Sequence, residues 1–275
     1  MFISNYSNNR RTELADAELL GTAPSVFAAQ PMAGVSDNYT FLPTSAIVAR
    51  MRHEGWAPVG AQEQRVRLDA RRGFQKHLIR FQRRDIIAVK GEYAAEVALV
   101  NSHDRSSAYQ LHAALYRFVC SNGLMVSDST FQHVSIRHSG HETDEVLEAS
   151  FRLLAQVPEL TSRVEAFRAR QLTLAEETEY ARQAIALRWD DHTKAPVGPQ
   201  ALLVPRRSED AGNNLWSVFN RVQERLTQGG MRDYTRRKAD GHRFPRTRSI
   251  SGLDEGIRIN KALWGMAEHL LPGQN

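Results

Sequence analysis

VALVNSHDRSSAYQLHAALYRFVCSNGLMV, residues 97–126, is the stretch that decides the fold. An apolar run (Val97, Leu99, Val100) leads into a polar corner, Asn101-Ser102-His103-Asp104-Arg105-Ser106-Ser107. A second run, Leu115 to Val119, leads into Cys120-Ser121-Asn122-Gly123, followed by Leu124-Met125-Val126. Short polar side chains at such positions bond their own backbone or accept left-handed dihedrals. The pattern therefore reads as buried strands joined by tight turns, with Ser102, Asp104, Ser106, Ser107 and Asn122 bonding mainly to backbone. A second reading stays open: a corner carrying His103, Asp104 and Arg105 at the ends of buried strands is also where function often sits. Leu115, Phe118, Val119, Cys120, Leu124 and Val126 are expected in the core, together with Trp56, Trp216 and Trp264.

Outward toward the N-terminus, Pro43-Thr44 opens a helix with Thr44 as its cap and Ile47, Val48 and Met51 as its apolar face. Gly55 ends that helix and Trp56 starts a strand. Residues 59–68 and 74–82 read as a hairpin with an Arg-Arg-Gly tip at Arg71-Arg72-Gly73. Tyr93 to Val100 is the next strand. From Glu142 the apolar spacing becomes helical, and Pro158 interrupts it. Thr173-Leu174-Ala175-Glu176 reads as a capping box. Residues 196–205 read as a loop, Asn213-Asn214 opens a helix that Gly229-Gly230 ends, and Ile257 to Leu271 forms the last helix. The fold class is α+β: an antiparallel sheet with a basic hairpin in the N-terminal half, and a helical C-terminal half. Residues 1–40 read as an arm, 41–141 as the α+β sheet core, and 142–275 as a helical region packed on that core, with a basic loop at 231–249.

At 275 residues, with 41% hydrophobic and 24% charged residues, the chain has the composition of a soluble globular protein. No apolar run approaches a membrane span, and the first residues lack the pattern of a secretory signal. A cytoplasmic protein without membrane partners is expected. Its single cysteine, Cys120, rules out an internal disulfide and reads as a buried thiol.

The formal net charge is +5, and most of the positive charge is arginine, which contacts phosphates bidentately and stacks on bases. Arg65, Arg67, Arg71, Arg72, Lys76, Arg80, Arg83 and Arg84 fall within twenty residues that contain one acid, Asp69. On a hairpin, Arg65 and Arg67 would share one strand face, and Lys76 and Arg80 a face of the partner strand. Aligned cations of this kind track a phosphate backbone. The competing view is an ordinary solvated face. In the loop 231–249, Arg232, Arg236, Arg237, Lys238, Arg243, Arg246 and Arg248 interleave with Tyr234, His242 and Phe244, which suits base stacking beside phosphate contacts. A flexible solubilising loop is the alternative there. A third candidate site draws on His103, Asp104, His133, His138 and His141 as acid/base groups or metal ligands. Their spacing matches no closed zinc set, and no HExxH, P-loop or Gly-x-Ser-x-Gly motif is present. No catalytic, cofactor or metal site is assigned.

The signature corner Ser102-His103-Asp104-x-Ser106-Ser107 is followed by Arg117-x-Val119-Cys120-Ser121-Asn122-Gly123-Leu124 and by Arg137-His138. Later come Asn214-Leu215-Trp216, Gly229-Gly230 and Asn260-Lys261-Ala262-Leu263-Trp264. Together these motifs resemble the phage- and plasmid-borne family known as domain of unknown function 932. The resemblance covers most of the chain and brings no activity with it. Arg105 stands where the family pattern has Gly, which implies a less tightly turned corner. The order of elements is also similar to that of Rad52-like single-strand annealing proteins. Resemblance and charge together imply a DNA-binding protein of a mobile element, preferring single-stranded DNA and forming a homo-oligomer. Two other classes remain: a protein-interaction module, and a hydrolase using His103, Asp104 and His138.

Overall fold

The computed structural model describes residues 12–34, 41–85, 93–117, 122–125, 134–136, 142–189, 195–235, 237–238 and 240–272. The chain divides into two compact units, Met1–Val157 and Pro158–Asn275. The first is built on strands β1 (Trp56–Glu63), β2 (His77–Arg83), β3 (Tyr93–Asn101), β4 (Tyr109–Arg117), β5 (Asn122–Met125) and β6 (Val134–Ile136). All pairings among them are antiparallel, in the order β1-β2-β3-β4, with β5 and β6 each pairing with a different end of β4.

The register places Ile79 opposite Leu99, Phe81 opposite Val97 and Leu99 opposite Leu111. Because side chains alternate along a strand, these residues share one face. Helix α1 (Asp16–Thr22) lies against β1. Helices α2 (Thr44–His53) and α3 (Glu142–Ala155) close the core, and α3 packs on both α2 and β4. Ile47, Met51, Trp56, Ile79, Phe81, Leu99, Leu111 and Val146 form its centre. The opposite face is buried too and is more polar, with Gln82, Glu96 and His112 beside Leu78, Ala98 and Val100.

The basic hairpin differs from the expected one. Pairing of β1 with β2 begins at Trp56↔Arg83 and ends at Glu63↔His77. Residues 64–76 form a connection that opens with Gln64 N–H donating to Lys76 O at 2.8 Å and contains one 3-10 turn, Asp69–Arg71. The strands stop early for two reasons. Leu68 is exposed, so the alternation Val66-x-Leu68 has no core to face. Phe74 O is also taken by His103 N–H at 2.8 Å, which turns this segment toward the signature corner and away from residues 65–68.

In the corner itself, Ser102 Oγ accepts from Ser107 N–H at 2.8 Å and donates to Ser107 O at 3.2 Å. Asp104 Oδ1 accepts from Ser106 N–H at 3.0 Å, and Ser107 Oγ donates to Ala108 O at 2.8 Å. The backbone-bonding expectation holds for Ser102, Asp104 and Ser107; Ser106 is exposed and takes part only through its amide. Arg105 takes φ 65°, the left-handed region. For a residue with a Cβ this costs roughly 1–2 kcal/mol. Leu115 and Trp56 are buried as expected. Phe118, Val119, Cys120 and Val126, and the side chains of Asn122 and Leu124, lie outside the described residues.

The second unit is helical: α4 (Val157–Ala169), α5 (Leu174–Arg188), α6 (Pro199–Leu203), α7 (Leu215–Gln228) and α8 (Leu253–Glu268). Thr173 caps α5 in the expected box, accepting from Glu176 N–H while its own N–H donates to Glu176 Oε2 at 2.8 Å. Asn214 caps α7 through Ser217 N–H at 2.9 Å. Helix α7 is buried on every side from Leu215 to Glu224, among α5, α6 and α8. Trp216, Phe219, Phe167 and Trp264 pack there, with the Phe167 and Trp264 rings 4.9 Å apart. Two of the buried polar side chains of α7 find partners inside the unit: Arg221 meets Glu177 at 3.2 Å, and Gln223 donates to Asn260 Oδ1 at 2.7 Å. Two expectations shift. The segment 196–205 holds α6, with Pro199 in its first turn where no amide is needed. Helix α8 starts at Leu253, which is buried, with Asp254 and Glu255 complementing the positive end of its dipole. Among the described residues no helix is long and apolar enough to cross a membrane.

Candidate nucleic-acid interface

Each unit carries one of the basic stretches. In the first unit, Arg65 and Arg67 are exposed and make no ion pair among the described residues, but they lie in the connection, past the end of β1. Strand alternation does not set their direction. Arg72 is 2.8 Å from Asp69, and Arg71 is 3.8 Å from the buried carboxylate of Asp104. Lys76 is buried. Arg80 lies 3.1 Å from Glu96, whose side chain is fully buried, and only 13% of the Arg80 side chain is exposed. Arg83 and Arg84 are held by Asp85 and Glu13. Lys76 and Arg80 therefore do not present the accessible cationic face expected of them. The reason is that both faces of this sheet are interior, so a cation on β2 needs an anion beside it.

In the second unit, residues 229–250 form an out-and-back loop, here called the finger, whose described residues are mostly exposed. Its base is built by backbone bonds: Gly230 N–H to Thr247 O at 2.7 Å, Thr247 N–H to Met231 O at 2.9 Å, and Ile250 N–H to Thr227 O at 2.8 Å. Met231 and Thr247 are buried there. Arg188 of α5 donates to the carbonyls of Leu226 and Arg248, clamping both sides of the base. Gly229 has φ 64° and ψ −143°, and a Cβ on it would sit 2.4 Å from Arg248 O. Only glycine lets the return strand come this close. Farther out, Arg237 and Arg243 form an antiparallel bridge. Lys238 N–H donates to His242 O at 2.8 Å, and Gly241 at φ 81° turns the tip.

The finger contains seven cations and two acids. Asp240 accepts from His242 N–H at 2.9 Å. Asp233 accepts from Thr235 N–H at 2.9 Å and from Gly198 N–H at 3.1 Å. Both carboxylates are thus engaged by backbone amides. Among the described residues, Arg232, Arg237, Lys238, Arg243, Arg246 and Arg248 are in no ion pair, although Arg246 donates to Gly230 O at 3.1 Å and Arg237 to Tyr234 O at 3.3 Å. Tyr234 is 58% exposed, and the guanidiniums of Arg232 and Arg243 stand over its ring at 5.9 and 5.7 Å. Phe244 is half-buried. Arg236 lies outside the described residues.

The signature His103 belongs to a different arrangement. Its Nε2 lies 3.2 Å from Thr44 Oγ1, which also meets His77 Nε2 at 2.9 Å and Asn101 Nδ2 at 2.9 Å. His77 Nδ1 lies 3.2 Å from Gln75 O and 2.8 Å from Ser25 Oγ. A carbonyl only accepts, so the His77 proton sits on Nδ1 and its Nε2 accepts the Thr44 hydroxyl proton. His103 Nε2 then donates to the same hydroxyl oxygen. All of these side chains are buried, and burial with the neighbouring His103 pushes His77 down to about 3. The His77 imidazole is therefore neutral near pH 7.

The cap bond expected from Thr44 is not made; its hydroxyl serves the cluster, and Pro43 stands at the cap position of α2. Register explains the meeting: His77 pairs directly with Asn101 on the core face of the sheet, at the end where α2 begins. Ser25, Thr44, His77 and Asn101 form a group that sequence does not reveal, because residues so far apart carry no common spacing. Arg117 is buried at the end of β4, opposite Asn122 in register. His133, His138 and His141 lie outside the described residues, among which no group of three or more His, Cys, Asp or Glu side chains could hold a metal ion.

Comparison with known proteins gives relatives across nearly the whole chain. Two proteins of Escherichia coli (strain K12), "UPF0380 protein YafZ" and "UPF0380 protein YfjQ", are each 35% identical to it over 263 residues, covering 95% of this chain and 93% of each relative. No solved structure matches, so the likeness in element order to Rad52-like annealing proteins has no structural neighbour to support it. The family described as "Domain of unknown function (DUF932)" matches residues 31–264, taking in both the signature corner and the finger, and the chain belongs to that family.

Proposed function

We propose that this protein binds DNA, single strands in preference to duplex, and that the finger at residues 229–250 makes the principal contact. One observation carries the reading: the finger is a built element whose described cations are in no ion pair, while those of the first unit are largely paired or buried. Unpaired guanidiniums release counterions when they meet phosphates, and this release supplies most sequence-independent affinity. Arg237, Lys238, Arg243, Arg246 and Arg248 contact phosphates in this reading, and Arg65 and Arg67 offer a secondary contact from the other unit. The mobile-element setting rests on the family resemblance alone.

The test is a salt titration of binding to single- and double-stranded DNA of equal length, with the parent and an Arg237→Glu, Lys238→Glu double variant. The parent is expected to favour the single strand. Removing one cation from a phosphate should shallow the salt slope by roughly 0.7 for a single strand. Weakening should be the same for all base sequences, because phosphate contacts carry no base information. A folded double variant that binds as the parent does, with the same slope, overturns the reading and favours a protein-interaction role.

A further inference from the structure

Tyr234 stands apart from the other tyrosines whose contacts are described. Tyr109 and Tyr180 are buried, and their hydroxyls donate to Leu42 O and Leu263 O at 2.8 and 2.9 Å. Tyr93 is also buried. Tyr234 is 58% exposed, and among the described residues its ring neighbours are two guanidiniums. An aromatic ring in this setting contributes little to the fold. The backbone that carries it is nevertheless well bonded. Asp233, the preceding residue, bonds Thr235 N–H, Thr235 Oγ1 and Gly198 N–H, at 2.9, 2.6 and 3.1 Å. On the far side, the backbone of Arg243 is fixed by its bridge to Arg237. The backbone on both sides of the ring is thus held by hydrogen bonds, which lowers the ordering cost of binding.

We propose that Tyr234, with Arg232 and Arg243, forms a stacking site for one unpaired nucleobase of a single strand. This rests on the DNA-binding reading and assigns a defined part of that site. A base needs a flat, accessible, electron-rich face and cations beside it for the phosphates on either side. The guanidiniums at 5.9 and 5.7 Å occupy the ring in the free protein. The base takes the place of one against the ring, and the released guanidinium moves to the adjoining phosphate. A paired base cannot enter, because its faces are covered by its neighbours in the duplex. The site therefore supplies the preference for single strands, and the other finger cations supply affinity common to both forms.

The experiment compares Tyr234→Ala and Tyr234→Trp with the parent, measuring binding to oligothymidylate and to a blunt duplex of the same length across a range of salt. Tyr234→Ala should bind oligothymidylate roughly five- to a hundred-fold more weakly, as expected when one base–aromatic stack is removed. Its duplex affinity and salt slope should not change. Tyr234→Trp should restore oligothymidylate binding, with indole fluorescence quenched as the base stacks. If Tyr234→Ala weakens both DNAs equally and shallows the salt slope, the ring serves only to hold the arginines and the proposal falls. If Tyr234→Ala binds both DNAs as the parent does while Arg237→Glu, Lys238→Glu loses them, the stacking site is wrong and the DNA-binding reading stands. If neither variant changes binding, both fall.

Discussion

The connection at 64–76 with strand β2, and the finger at 229–250, are both arginine-rich in sequence, yet they use their charge in opposite ways. In the first, Arg80 meets Glu96 at 3.1 Å inside the unit, Lys76 is buried, and Arg71 and Arg72 face Asp104 and Asp69. In the second, the two acids are engaged by backbone amides and the described cations are in no ion pair. The difference comes from what lies beneath each stretch. A strand buried on both faces cannot hold a guanidinium without an anion, because leaving a charge unpaired in a low-dielectric interior costs several kcal/mol. The described cations of the finger are exposed, so solvent screens them and they need no anion beside them. Density of positive charge along a sequence is therefore a poor guide to a binding face until the partners of each cation are known.

The comparison is broken most severely at Glu96. Glu96→Ala leaves Arg80 without its partner and should lower stability by about 3–5 kcal/mol. Arg237→Glu with Lys238→Glu should stay within about 0.5 kcal/mol of the parent. Urea unfolding of the two variants measures this contrast. Equal stabilities would remove the distinction between a structural and a free arginine.

A smaller loss is expected at the buried cluster. Thr44→Val removes the hydroxyl shared by His77, His103 and Asn101, and a buried polar group left without its bond costs about 1–3 kcal/mol. The same cluster makes the first unit sensitive to acid. Its core histidine, His77, is held at about 3 when folded, against an ordinary value of 6.5, with His103 and Asp104 as the titratable groups facing it. Between those values the unfolded chain binds the proton and the folded chain does not. Stability is therefore fully present above about pH 6.5 and falls as pH drops toward 3, by up to about 1.4 kcal/mol per pH unit. The urea midpoint measured across this window should fall with pH in the parent, and less steeply in His77→Gln. Identical slopes would mean that His77 is not held neutral by burial.

Gly229→Ala sharpens the comparison from the other side. The added Cβ would lie 2.4 Å from Arg248 O, at a φ of 64° that disfavours any side chain. Strain of about 1–3 kcal/mol at one residue should displace the base of the finger and weaken DNA binding although no cation has been removed. Unchanged affinity in a salt titration would show that the finger acts without its built geometry. The smallest effect is expected from Arg71→Glu with Arg72→Glu. These exposed side chains already face Asp104 and Asp69, so the salt slope should shallow less than for Arg237→Glu with Lys238→Glu. The reverse order would return the principal contact to the first unit.

Local pattern by itself determined a good deal. The strands around 93–117 follow from apolar runs that end in polar corners, and the caps at Thr173 and Asn214 from short-range hydrogen bonding between neighbours in sequence. The side-chain bonds of Ser102 and Asp104 in the corner and the bond from Gly229 N–H that ends α7 are likewise local, since their partners lie within five residues. The family is legible in the same motifs. What only the tertiary structure decided are contacts between residues distant in sequence. Thr44, a helix cap by local rules, gives its hydroxyl to two histidines and an asparagine that the sheet register brings beneath it. Leu68 continues an alternating pattern but has no core to face, so the hairpin ends before it. Arg80 and Arg243 are equal in a count of charge, yet one has a buried carboxylate beside it and the other an exposed tyrosine ring. The physical reason is that secondary structure is set by neighbours along the chain. The fate of a charge or a hydroxyl is set by solvent access and by partners that only folding assembles.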